Sequence, residues 1–142
     1  RRHLSQMLID ALGTKGTITI YTSYEKTVMN KLAVQFPEYA EFLQNAIKRT
    51  KDLYQIIRKH YYHPKFNGSF SLKSVLPALV PELSYDDLAI AEGSQASLDY
   101  LRMIHPETPL AEKTKIRENL LAYCRRDTLA MMMIREKLLK KA

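Results

Sequence analysis

The stretch "TITIYTSYEK", Thr17–Lys26, decides the fold class. Its first half is dense in β-branched residues and follows the turn-former Gly16, which predicts a strand over about 17–21. Its second half starts a helix near Tyr24 that runs to Phe36. This is the one convincing strand in the chain. Without it the pattern would be all-helical; with it the chain reads as α/β.

Upstream, "HLSQMLIDALG" puts Leu4, Met7, Leu8, Ala11 and Leu12 on one side of a helix that Gly13 can close. Downstream, Pro37 breaks the second helix and can open the next, to about Thr50. "KDLYQII" reads either as a short strand at about 52–54 or wholly as helix. "HYYHPKFNGS" (His60–Ser69) is a loop by its Pro, Asn and Gly. Ser71 can cap a short helix to Leu79 that Pro77 must kink or shorten. Helices from Glu92 to Ile104 and from Leu110 to Leu139 complete the census. A lone strand leaves its backbone groups unpaired. Either the chain is nearly all-helical, or its sheet has further strands upstream. Residues 1–142 are expected to form one domain.

The chain has 142 residues, 46% of them hydrophobic and only four of them Gly, which argues for a folded, helix-rich protein. A single cysteine allows no internal disulfide and fits a reducing, cytoplasmic compartment. The longest apolar run, "LAMMMI", is six residues, far short of a membrane span. No segment reads as a secretory leader. Net charge is +7, which makes nucleic acid an expected partner and a membrane not one.

The last helix contains an anomaly. Leu120, Cys124, Asp127, Met131, Ile134 and Leu138 step by 4, 3, 4, 3 and 4, the spacing of one buried helix face. Five are apolar or thiol; the sixth is an aspartate. A carboxylate aimed at a core is costly unless hydrogen-bonded, paired or metal-bound. Tyr123, at i−4, shares its side of the helix. Glu25 is a second acid of interest, because it opens a helix just past the C-terminal end of a strand, where ligands gather in sheet proteins. Thr22-x-x-Glu25 is also a capping box, so the same spacing supports a purely structural role.

Two features then coincide: an acid after a strand in "YTSYEK", and Tyr-x-x-x-Asp in "YCRRD". Together they resemble the Tyr-bearing subclass of the DEDD (DnaQ-like) 3′–5′ exonucleases, which have a ribonuclease H-like fold. More closely, "YYHPKFNGSFSLKSVLPALVPELSYDDLAI" and "LLAYCRRDTLAMM" resemble a bacterial domain family of unknown function placed in that superfamily. The resemblance implies a metal-dependent nuclease using Mg²⁺ or Mn²⁺, with Glu25 and Asp127 as metal-binding carboxylates and Tyr123 orienting the attacking water. The superfamily's Asp-x-Glu motif is missing. The chain is therefore expected to be the C-terminal portion of such a domain, inactive or weakly active alone. The alternative is a non-catalytic basic helical module that binds nucleic acid or a protein.

"RKHYYHPKF" interleaves cations with aromatics, so Tyr62 and Lys65 are candidates for holding a single strand. Lys73 in "NGSFSLK" could meet a phosphate at a helix start. Arg125 and Arg126 lie beside the proposed acid, where they are candidates to contact a nucleic-acid backbone or else remain solvated. His60-x-x-His63 lacks neighbouring ligands for zinc, and Cys124 reads as a small core hydrophobe. The exposed edge of "TITIY" makes a homodimer through the strand an expectation.

Overall fold

In the computed structural model, which describes residues 1–140, the chain divides into two compact units, residues 1–62 and the residues from His63 on. The described residues are mostly helical with two short strands, consistent with an α/β class.

The first unit begins with α1, Arg2–Leu12, closed as expected at Gly13, whose φ of 52° suits a residue without Cβ and whose N–H returns to the Ile9 carbonyl. The strand β1 is Ile18–Ile20. Helix α2, Tyr24–Gln35, ends before Pro37. Pro37–Tyr39 forms a single 3-10 turn, and α3 is Ala40–Lys48. β2, Thr50–Asp52, pairs parallel with β1 in the register Ile18↔Thr50 and Ile20↔Asp52. Helix α4, Leu53–His60, follows without a break. The ambiguous stretch is thus strand up to Asp52 and helix after it, and the strand starts two residues before the expected 52. The two-helix crossover between parallel strands buries Met29, Leu32, Ala33, Phe36, Leu43 and Ala46, with Leu8 and Leu12 of α1 packed against them. Each such large side chain contributes about 1.5–3 kcal/mol when fully removed from water. Leu4 and Met7, expected on the buried side of α1, are instead exposed.

In the second unit a 3-10 turn, Pro64–Phe66, leads to α5, Leu72–Leu79. The Ser71 side chain accepts from the Ser74 N–H, the cap that the sequence suggested. Pro77 lies inside the last turn, and the helix stops two residues later. Helix α6 is Gly93–Ile104 and α7 is Leu110–Leu139. Both α5 and α6 pack on α7. Phe66, Val75, Leu76, Val80, Ala130 and Ile134 are wholly buried.

The seam of α7 is rotated from the one counted in the sequence. Ile116, Ala130 and Ile134 are buried, Leu120, Tyr123 and Asp127 are half-buried, and Cys124 is exposed. The pattern keeps its 4-3-4-3-4 steps, but Tyr123 replaces Cys124 and Ala130 replaces Met131. Cys124 is therefore not the core hydrophobe expected of it. Its thiol is nonetheless pushed up from its ordinary value, by partial desolvation and then by the negative charge of Asp127.

Candidate functional site

Asp127 sits on the seam of α7, and the residue it meets was not among the sequence candidates. The Tyr85 hydroxyl donates to Asp127 Oδ1 at 2.6 Å, from an irregular segment 42 positions earlier in the chain. Tyr85 is buried. Burial, and then the hydrogen bond and charge of Asp127, push its hydroxyl far above the ordinary phenol value, so it remains a donor. The Tyr123 ring stands 6.0 Å from that of Tyr85. Its hydroxyl also lies near the start of α6, where a Cβ on Gly93 would come within 3.7 Å of it. Desolvation and then the Asp127 charge push Tyr123 upward too. Two phenols and one carboxylate thus form a half-buried polar cluster on an otherwise apolar seam.

The neighbouring residue fastens the same segment. The Arg126 guanidinium donates to both carboxylate oxygens of Asp87, at 2.7 and 2.6 Å, and also to the Ser84 carbonyl. This fork-to-fork pairing is the strong form of an ion pair. It holds the Asp87 carboxyl below the usual range and raises Arg126 further. Consecutive residues of α7, Arg126 and Asp127, therefore grip Asp87 and Tyr85. Arg126, expected to meet a nucleic-acid backbone, is spent on this grip. Arg125 is exposed on another face of α7, beside Leu121, Leu129 and Met132.

Lys73 is exposed on α5 and lines a hollow that Tyr85 also borders. Lys65 lies apart on the Pro64–Phe66 turn, where its N–H donates to His63 Nδ1. The described structure thus brings Tyr123 and Asp127 together, and Lys73 shares a hollow with Tyr85.

Glu25 and Tyr62 belong to the first unit. Glu25 lies in the first turn of α2, half-buried, just beyond the end of β1. The capping box is not formed as the spacing suggested. Ser23 is the N-cap and makes no side-chain cap bond. Thr22 takes a left-handed φ of 71°, and its N–H donates to Asp52 Oδ1 at 3.0 Å. The same oxygen accepts from the Tyr54 N–H at 2.9 Å, capping α4. Asp52 thereby ties the C-terminal ends of the two parallel strands. Edge-on contact of Tyr21 with Tyr54, 6.0 Å between centroids, closes that end. Tyr62 is exposed.

Among the described residues no group of three or more His, Cys, Asp or Glu gathers as metal ligands would. Two-metal chemistry on Mg²⁺ needs several converging oxygen ligands. The described acids of each unit, taken by themselves, do not fit such a centre. Among the described residues no helix is long and apolar enough to cross a membrane.

The family whose model matches residues 1–71, half of the chain, is described as Domain of unknown function (DUF2779). Glu25, Asp52, Tyr62 and Lys65 fall inside that span, whereas Lys73, Tyr85, Tyr123, Arg125, Arg126 and Asp127 lie beyond it. No curated protein and no solved structure matches the chain.

Proposed function

The chain belongs to the DUF2779 family, and from that premise we propose that it serves 3′–5′ exonuclease-like processing of nucleic acid, on a ribonuclease H-like scaffold. Asp127 and Glu25 are its acids, and Tyr123 works beside Asp127. The observation that carries the proposal is the Asp127 cluster: a carboxylate on a packed seam, oriented by the Tyr85 hydroxyl at 2.6 Å and flanked by the phenol one turn before it. A carboxylate is costly to place on a packed seam unless it is hydrogen-bonded, paired or metal-bound, which makes it a candidate for chemistry. The two parallel strands support it as well, because Glu25 follows the C-terminal end of one and Asp52 ends the other. The net charge of +7 suits a polyanionic substrate.

A Mg²⁺ or Mn²⁺ centre for this chemistry requires more ligands than the described acids of either unit supply. What the chain's own residues do is narrower. Tyr85 fixes one oxygen of Asp127, and Tyr123 holds a proton on its hydroxyl next to that acid. The test is digestion of a 5′-labelled DNA or RNA strand by the natural protein with Mn²⁺. Shortening from the 3′ end that is lost in both Glu25→Gln and Asp127→Asn supports the proposal. No shortening, or full activity in either variant, rejects it.

A second reading has its own observation. Tyr85 satisfies Asp127 within the unit, and Arg126 pairs with Asp87. Both are what a structural acid and a structural base would do. On that reading the chain is a non-catalytic basic helical module. Strand binding without cleavage, unaffected by Asp127→Asn, is the outcome it requires.

A further inference from the structure

The second unit contains a half-open hollow of about 210 Å³. Its walls are Lys73 and Pro77 of α5, Ser84, Tyr85 and Asp86 of the following turn, and Glu92 at the N-cap of α6. Three features set it apart from an ordinary surface dent. First, it gathers one ammonium and two carboxylates that do not neutralise one another: among the described residues Lys73 pairs with no acid, and neither Asp86 nor Glu92 with a base. Second, its remaining wall is formed by Pro77, Ala91 and the largely buried Tyr85. Third, Tyr85 belongs to two structures at once, since it borders the hollow and its hydroxyl holds Asp127. Whatever occupies the hollow therefore lies against the residue that orients the acid.

The ligand such a wall recognises has an anion for Lys73, a less polar body beside Pro77 and Ala91, and an N–H donor for a carboxylate. We propose that the hollow binds a single nucleotide whose base carries an exocyclic amino group, with Lys73 on its phosphate and Glu92 on that amine. The proposal takes its substrate class from the nucleic-acid reading above and makes it specific. Cytosine presents an amino donor where thymine presents a carbonyl acceptor. A carboxylate accepts from the first and repels the second, so the hollow prefers cytosine to thymine.

Calorimetric titration of the natural protein with dCMP, dTMP, deoxycytidine and inorganic phosphate, in EDTA so that no metal contributes, tests this. The proposal expects dCMP to bind about tenfold more tightly than dTMP. Glu92→Gln should bring the two within about twofold, because an amide both donates and accepts. Lys73→Ala should weaken both nucleotides by about tenfold and leave deoxycytidine unchanged, and Lys73→Arg should restore them. Both positions are exposed, and matching melting curves would show that the variants fold. Equal affinities for dCMP and dTMP, no binding of either, or phosphate alone binding as well as dCMP would each overturn the proposal. Because no metal or cleavage is involved, loss of this site leaves the exonuclease test standing, and failure of that test leaves this one standing.

Discussion

Replacing Tyr85 with Phe removes one hydroxyl and nothing else. The ring stays, so no cavity forms and the seam remains packed. What is lost is the 2.6 Å donation to Asp127 Oδ1. A hydrogen bond to a charged group contributes about 1.5–3 kcal/mol. Asp127 is half-buried, so water replaces part of the lost donor, and the expected cost falls to about 1–2 kcal/mol. Urea denaturation at neutral pH measures it, provided that the slope of the transition is unchanged. A double-mutant cycle with Asp127→Ala separates this pair from its surroundings. The two side chains touch, so their coupling should be about 1 kcal/mol. A coupling no larger than the ~0.3–0.5 kcal/mol scatter of independent sites would refute the claim that Tyr85 holds Asp127.

Further expectations follow from the same structure. Asp52→Ala removes the acceptor for both the Thr22 and Tyr54 amides and should cost about 1–2 kcal/mol, whereas Asp52→Asn, which keeps an acceptor oxygen, should cost less; thermal melts compare them. Asp87 is held below its ordinary value of 3.8 by Arg126. Its stabilising contribution is thus present above that value and lost as the pH falls through the depressed one. The stability difference between the wild type and Asp87→Asn should therefore shrink in acid, and a difference that grows there would contradict the pairing. Ile134→Ala empties a wholly buried position on α7 and should cost about 2–5 kcal/mol in chemical denaturation. Cys124 is exposed yet its thiol is pushed up, so its alkylation at neutral pH should be slower than that of a free cysteine thiol, and the rate should rise only at more alkaline pH.

Local signals in the sequence carry local structure well here. The bounds of α7, the stop at Gly13, the break at Pro37 and the Ser71 cap all depend on residues within a few positions of one another. The failures are of other kinds. β2 is three residues long and ends with a charged Lys51 and Asp52. Only its pairing with β1, about thirty residues away, makes it a strand. Thr22-x-x-Glu25 has the spacing of a capping box, yet Asp52 outbids the Glu for the Thr22 amide. On α7, apolar residue types alone cannot tell Cys124 from Tyr123 at adjacent positions. The fold chooses the tyrosine because Tyr85 and Gly93 line its path.

The candidate site divides in the same way. Asp127 and Tyr123 are legible together because one helical turn relates them. Tyr85 was not, since nothing within its own segment marks it as a donor to α7. An adjacent clue existed in "SYDD", where an acid two residues on meets Arg126. Reading it required the partner helix to be in place. The pairing of Arg126 was illegible for the same reason: a basic residue beside an acid looks available until its own acceptor is known.

The central claim is that the Asp127 carboxylate exists for chemistry and not for packing. The most direct measurement compares the natural protein with its Asp127→Asn variant, following release of nucleotides from the 3′ end of a labelled strand in Mn²⁺ and, in parallel, the melting temperature. The account predicts that release is abolished while melting shifts by only a few degrees, since asparagine keeps the oxygen that Tyr85 bonds. Undiminished release, or a collapse of melting without any release by either protein, would contradict it.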